Sequence, residues 1–147
     1  MEQNLVANAQ FRSAFKPLIN FDSESDTPPF GIAIQNRGKG PALIKSITYW
    51  FHHFQYSNDS DVISAAKLNY EHVSDYYLQA DDTLGADEKE WLVAMPRRYA
   101  SARKVEAGRF ALFIAQGLAI EVEYCSLAGE CMMRCSTPSL CTVAIQP

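Results

Sequence analysis

The chain has 147 residues, of which 48% are hydrophobic and 20% are charged, a balance that indicates one folded domain and excludes a disordered chain. The formal net charge is −4 and no long basic run occurs, which argues against binding to duplex nucleic acid through its phosphates. No apolar segment has the length of a membrane span, and the polar start Met1-Glu2-Gln3-Asn4 predicts no signal peptide.

The start of the chain predicts a lead-in segment followed by the domain itself. Apolar side chains over 1–16 have the spacing of a short amphipathic helix, and a proline follows them. We therefore predict a helical or flexible lead-in over 1–16 and one β-sandwich domain over 17–147. A first short strand is predicted over 18–22, and a polar loop that ends in two prolines over 23–29.

The next segment predicts a second strand and a tight turn. The strand over 30–35 alternates large apolar residues with smaller or polar ones, as a half-buried strand does. The turn is predicted at Asn36, Gly38, Gly40 and Pro41. Its glycines permit positive φ angles and its proline fixes the exit of the chain. It lacks the Gly-Lys-Ser/Thr ending of a phosphate-binding loop, so a structural turn is expected.

A long β run predicted over 43–55 contains the candidate binding surface. The run is rich in β-branched and aromatic residues, and apolar side chains occupy both of its faces. The face predicted to enter the core carries Ile47, Tyr49 and Phe51. The possible binding surface on the other face comprises Trp50, His52 and Phe54. A face this apolar is either covered by one of the helices predicted below or contacts a partner.

The middle of the chain predicts two helices among shorter strands. A helix over 61–71 follows polar residues that can cap it. The elements predicted after it are a short strand over 76–79, an acidic loop over 81–88, a strand over 90–95 and a helix over 101–116. The residues that line the apolar side of this second helix are predicted to be Val105, Phe110, Phe113 and Ile114, with Gly117 at its end.

The last third of the chain predicts a hairpin and decides the fold class. Residues 118–124 alternate large apolar residues with Ala119, Glu121 and Glu123, the pattern of a strand with one dry face. A turn that contains Gly129, a partner strand over 131–135 and a last strand over 141–145 follow. With about seven short strands, the chain is predicted to be mainly β, a two-sheet sandwich with one or two inserted helices.

Four cysteines in this region could form two disulfides in three connectivities: Cys125, Cys131, Cys135 and Cys141. Two hairpin registers are possible. If Cys125 lies opposite Cys131, Arg134 falls opposite Val122 on the apolar face. A shift of one residue places Arg134 opposite Glu123 and exchanges the faces of every side chain on the strand.

The shifted register is the one we predict for the hairpin. It pairs Arg134 with Glu123 across the strands and sends Cys131 and Cys135 inward as small hydrophobic residues. Cys125 then points outward, away from Cys131, so the thiols are expected to be reduced, although a bulge would restore the disulfide.

No metal, cofactor or catalytic site is predicted. The cysteine spacing has no Cys-x2-Cys pair of the kind found in structural zinc sites. A cysteine nucleophile needs a histidine within reach, and nothing in the chain brings His52, His53 or His72 near the cysteines. Structural cysteines are the expected alternative.

Two stretches resemble a family of uncharacterised bacterial membrane-anchored proteins: Phe30-Gly-Ile-Ala-Ile-Gln-Asn-Arg-Gly-Lys-Gly-Pro-Ala-Leu-Ile-Lys-Ser-Ile and Ile120-Glu-Val-Glu-Tyr-Cys-Ser-Leu-Ala-Gly-Glu. Phe15-Lys-Pro-Leu-Ile resembles the segment just after that family's membrane helix. The resemblance implies an immunoglobulin-like sandwich tethered near a bacterial inner membrane, and it implies no reaction. Under the positive-inside rule, the charges of Arg12 and Lys16 slightly favour the cytoplasmic side of the membrane as the location of the domain.

The predicted function is a non-catalytic interaction or sensory module, tethered to a membrane only through an anchor outside this sequence. Its partner is expected to be a protein or a small ligand and not a nucleic acid. One alternative is a small-ligand domain with an apolar cleft beside Trp50 and His52. A second alternative is an enzyme that uses Cys125 with a histidine.

Overall fold

The computed structural model describes residues 15–68 and 78–143. Among them are eight strands: β1 (Ile19–Glu24), β2 (Phe30–Asn36), β3 (Ala42–Phe51), β4 (Phe54–Tyr56), β5 (Thr83–Leu84), β6 (Lys89–Met95), β7 (Leu118–Cys125) and β8 (Cys131–Cys135). They form two antiparallel sheets. The first has the order β1-β2-β6, and the second has the order β4-β3-β7-β8 with β5 beside β3. The predicted two-sheet β fold with inserted helices is confirmed.

Both sheets contribute to one apolar core. The first sheet supplies Ile32, Ile34 and Val93, and the second supplies Ile44 and Ile120. Strand β7 has the predicted alternation: its large apolar residues are buried, while Glu121 and Glu123 are partly exposed. Strand β2 is not half-buried as predicted but buried along most of its length, because it is the central strand of its sheet and helical residues contact it as well.

Three α-helices are present in the described residues: α1 (Asp59–Ala65), α2 (Arg97–Ala102) and α3 (Lys104–Leu112). The helix predicted over 61–71 corresponds to α1. Asn58 caps it, and its Oδ1 accepts a hydrogen bond from the Asp61 backbone N–H at 2.8 Å. The described chain leaves the helix after Ala65, and residues 69–71 of the prediction lie outside the described residues.

The helix predicted over 101–116 is divided. Helices α2 and α3 meet near Arg103, and a π-helical turn (Phe113–Gly117) follows α3. Phe110, Phe113 and Ile114 are buried as predicted, but Val105 is 80% exposed. Val105 lies five positions before Phe110 in the sequence, which corresponds to a rotation of about 140° around the helix axis, so Val105 lies on another side of the helix.

The β run predicted over 43–55 is a hairpin and not one strand. A two-residue turn at His52 and His53, with φ angles of 50° and 66°, separates β3 from β4. Type I′ hairpin turns need positive φ at both positions and usually contain Asn-Gly. A His-His pair carries no such signal, so the alternation of the flanking residues continues through the turn and predicts one long strand.

Two other predicted strands differ from the structure. Leu78 and Gln79 are not in a strand, and the rest of the strand predicted over 76–79 lies outside the described residues. Residues 141–143 are also not a strand, and residues 144–145 lie outside the described residues. The acidic loop predicted over 81–88 contains the short strand β5, which pairs with β3.

The buried side chain of Asn36 joins four segments of the chain. Its Nδ2 donates to the carbonyl oxygens of Gly40 at 2.8 Å and Leu84 at 3.0 Å. Its Oδ1 accepts from the backbone N–H groups of Leu18 at 3.1 Å and Gly38 at 3.0 Å. All polar atoms of this amide are therefore paired, as a buried amide requires.

We predict that Asn36→Ala lowers the free energy of unfolding by about 3 kcal/mol or more, because it leaves buried donors and acceptors without partners. Asn36→Asp keeps the size of the side chain but turns oxygen toward two carbonyl groups, so a similar loss is expected. Urea unfolding followed by circular dichroism measures both changes.

The matched control is Asn58→Ala, which removes the exposed cap of α1 and is expected to lower the free energy by about 1 kcal/mol. A loss at Asn36 no larger than the loss at Asn58 would contradict the role assigned to the buried amide.

Candidate functional site

Residues 15–18 span the end of the predicted lead-in and the two residues before β1, and this described lead-in lies directly against the turn between β2 and β3. A Cβ atom on Gly38 would meet the carbonyl oxygen of Lys16 and, at 2.5 Å, the backbone nitrogen of Leu18. A Cβ atom on Gly40 would meet the carbonyl oxygen of Phe15. Neither glycine has a positive φ, so the reason predicted for them is wrong. They are needed because a backbone segment passes where a side chain would stand.

A groove of about 530 Å³ opens between this lead-in and strand β8; we call it the basic groove. Its lining residues are Lys16, Pro17, Leu18, Gly38, Lys39, Tyr124, Met132 and Arg134. Tyr124 is buried in β7, and its hydroxyl lies 3.8 Å from the sulfur of Met132. The groove therefore combines apolar side chains with three cationic ones.

The charges of the basic groove are not neutralised within the described chain. Lys16, Lys39 and Arg134 are all exposed, and the lining contains no carboxylate. The salt bridges of the described residues lie elsewhere, between Lys89 and Asp22 and between Arg103 and Glu106. The three cations are thus available to an anionic group from outside.

The β7–β8 hairpin has the register that we did not predict. Cys125 lies opposite Cys131, and Arg134 lies opposite Val122 and not opposite Glu123. Disulfides join Cys125 to Cys131 and Cys135 to Cys141, so the prediction of reduced thiols is also wrong.

The physical reason is that β8 is an edge strand whose residues 131–134 are exposed on both faces. Burial therefore does not select its register. The turn helps to set it: Ser126 N–H donates to the carbonyl of Glu130 at 2.8 Å, and Gly129 has a φ of 83°. Glycine adopts a positive φ more easily than other residues because it has no Cβ atom.

The second alternative, a cysteine-dependent enzyme, has no nucleophile in this structure. All four cysteines are described and none is free. His53 Nδ1 lies 2.9 Å from the carbonyl oxygen of Thr142, and His72 lies outside the described residues. Within residues 15–68 and 78–143, no group of three or more metal-binding side chains occurs, and no helix is long and apolar enough to cross a membrane.

The predicted surface of Trp50, His52 and Phe54 is not one surface. Trp50 is only 4% exposed, whereas Phe54 is 67% exposed and belongs to the next strand. The indole N–H of Trp50 has no hydrogen-bond partner among the described residues. His52 lines a separate pocket of about 360 Å³ together with Phe51, Leu112 and Phe113, and neither Trp50 nor Phe54 lines it.

No local pattern in the sequence predicts the basic groove. Gly38 and Arg134 are predicted only as structural residues of the turn and the hairpin. The lining comes from three segments, around residues 16–18, 38–39 and 124–134, which are distant in the sequence. The one usable signal is the register: with Cys125 opposite Cys131, Met132 lies opposite Tyr124 and shares its side of the sheet with Arg134.

No protein-family model, curated protein or solved structure matches this chain. The resemblance to bacterial membrane-anchored proteins therefore stays a prediction. The basic groove is the feature of the described residues that best supports a functional inference.

We predict that Gly40→Ala destabilises the protein by more than about 2 kcal/mol, because the new methyl group would overlap backbone that cannot move independently. Gly108→Ala is the matched control. Gly108 is helical, and no atom beyond its chain neighbours and the nearby backbone of its own helix lies within 4 Å of the added carbon, so this variant is expected to gain about 0.5–1 kcal/mol. Thermal unfolding measures both; equal effects would contradict the close approach of residues 15 and 40.

We predict that the unfolded, unreduced protein from an oxidising compartment has no titratable thiol, and that reduction releases four. A thiol-specific chromogenic reagent in denaturant gives the count. Four thiols before reduction would contradict the disulfides. Replacing Cys135 and Cys141 together by serine is expected to lower the free energy of unfolding by about 2 kcal/mol, as for a short closed loop.

Proposed function

We propose that this domain is a non-catalytic interaction module that binds an anionic partner in the basic groove. The observation that carries the proposal is the composition of the groove: three cations, which have no acidic partner among residues 15–68 and 78–143, surround apolar side chains. In a chain with a net charge of −4, such a local excess of positive charge is not a consequence of overall composition.

The two parts of the groove have different physical roles in binding. Leu18 and Met132 are 49% and 39% exposed, so a partner that covers them gains by removing apolar surface from water. The cations attract an anionic partner, orient it and disfavour a cationic one. The groove is also within the usual size range of ligand-binding clefts, roughly 300–1,000 Å³.

Two further parts of the proposal concern where the domain acts. Disulfides persist in oxidising compartments, so we place the domain on the extracytoplasmic side, against the lean of Arg12 and Lys16. From the resemblance we propose that the sandwich is immunoglobulin-like and that the domain is tethered to a bacterial membrane. Lys16 lines the groove and belongs to the segment that resembles the one just after the family's membrane helix, so in this proposal the groove lies near the membrane.

A second candidate function is the binding of a small apolar ligand near His52. It is favoured by the pocket of about 360 Å³, where Leu112 is 57% exposed beside the partly buried Phe51. The predicted alternative is a ligand cleft beside both Trp50 and His52. Of these two residues, only His52 lines the observed pocket.

The test of the basic groove uses acetylated hexaglutamate as the probe. We expect Lys39→Gln and Arg134→Gln each to weaken its binding by about 3–10-fold, because each removes one charge from the groove. Raising the salt concentration is expected to weaken binding to the parent protein. Isothermal titration calorimetry, supported by amide chemical shifts, gives the affinities and the site.

The matched control is Lys104→Gln, which makes the same change in net charge at an exposed residue of α3, outside the groove. It is expected to leave the affinity unchanged. Equal weakening by Lys104→Gln and Lys39→Gln would show that the probe senses only overall charge, and would refute the groove as the site.

A further inference from the structure

Strand β8 presents an open edge beside the basic groove. It is the last strand of its sheet, and no described strand pairs with its outer side. It contains no proline and pairs with β7 without a bulge, although prolines and bulges are common ways of blocking an edge. Its edge is thus able to accept another strand.

The hydrogen bonds at both ends of the hairpin show which backbone groups of β8 face outward. Ser126 N–H donates to Glu130 at 2.8 Å, and Ser136 N–H donates to Ile120 at 2.9 Å. Each of these is a bonded pair of the antiparallel ladder, and bonded pairs recur at every second residue.

Counting inward by two residues from either end makes Met132 and Arg134 the β8 residues that bond to β7. The N–H and C=O groups of Cys131, Met133 and Cys135 consequently face the open edge. Three donors and three acceptors stand there in the spacing of a strand.

Along β8, successive side chains point to opposite faces of the sheet, and successive backbone groups point alternately to β7 and to the open edge. Met132 and Arg134 line the basic groove, while Met133 between them has its side chain on the other face of the sheet. A strand added to β8 would place alternate side chains on the groove side, near Lys39 and Arg134. Backbone pairing and charge pairing can therefore be made by one extended segment.

We propose that the partner is an extended acidic segment of another protein, which adds to β8 as an antiparallel strand and directs alternating acidic and apolar side chains into the basic groove. The inference rests on the proposed function and names its partner. Antiparallel addition is chosen because every strand pairing in the described residues is antiparallel. Such strand addition is a recurrent mode of peptide recognition.

Charge distinguishes this partner from a second copy of the chain. Two copies that paired through β8 would bring two basic grooves together on one face of the joined sheet. Lys16, Lys39 and Arg134 of each copy would then add to the same positive region. Like charges on adjacent strands are unfavourable, whereas an acidic segment neutralises them.

The probe is the peptide acetyl-Thr-Glu-Thr-Ile-Thr-Glu-Thr-amide, labelled for fluorescence anisotropy. In an antiparallel addition its glutamates and isoleucine face the groove, and the N–H groups of its threonines face β8. We expect at least a tenfold loss of affinity when the internal threonines are N-methylated, and less than a threefold loss when the glutamates and isoleucine are. Replacing both glutamates by glutamine is expected to weaken binding about tenfold.

On the protein side, Met133→Pro removes one N–H group from the open edge and none from the β7 pairing. It is expected to weaken peptide binding about tenfold, while Met133→Leu, which keeps the N–H, leaves it unchanged. Because the N-methylated peptides test the same edge with unaltered protein, the result does not depend on whether the proline variant folds.

The outcomes separate the two proposals. Equal binding of both N-methylated peptides, combined with weakening by Lys39→Gln but not by Lys104→Gln, would overturn strand addition and retain the anionic groove. Peptide affinities that respond equally to Lys39→Gln and Lys104→Gln would overturn both. Binding to vesicles containing phosphatidylglycerol without binding to the peptide would overturn the peptide partner in favour of a membrane surface.

Discussion

The amide of Asn36 is the interaction on which the arrangement of this domain depends. It ties the lead-in, the β2–β3 turn and β5 to the end of β2. Its backbone also bonds to the loop before β6, through Glu88 at 3.0 Å and Asp87 at 2.7 Å. Because a buried amide is stable only when its polar atoms are paired, these segments have one mutual position. One wall of the basic groove, residues 16–18, is placed by this network.

The sequence predicts those parts of the fold in which buried and exposed side chains alternate along a strand. It does not predict the parts that lack this alternation. From Ile120 to Tyr124, strand β7 alternates buried residues with the partly exposed Glu121 and Glu123, so its pattern predicts the strand correctly. Strand β8 is exposed on both faces, so no burial pattern distinguishes its two registers. At His52 and His53 the backbone turns with residues that carry no turn signal. The turn at Asn36 was located correctly, but the reason for Gly38 and Gly40 lies in a neighbouring segment that only the folded chain reveals.

The candidate site was beyond sequence analysis for a related reason. The aromatic side chains of Trp50 and Phe54 are part of the predicted binding surface, yet Trp50 is buried in β3 and Phe54 is exposed on β4. The basic groove is built from side chains that belong to no recognisable sequence motif, such as single lysines and a methionine. Their significance comes from being close together without a carboxylate among them. Proximity of this kind depends on tertiary structure and has no local pattern.

The two disulfides have a consequence for recognition beyond the stability of the hairpin. One begins at the first residue of β8 and the other at its last residue, so the strand is covalently held at both ends. A template fixed in this way loses little conformational entropy when it is occupied, and the cost of ordering falls on the incoming segment. Reducing agents would convert this rigid template into a looser one, so the thiol–disulfide balance of the surroundings would tune how strongly the domain holds the partner that we propose.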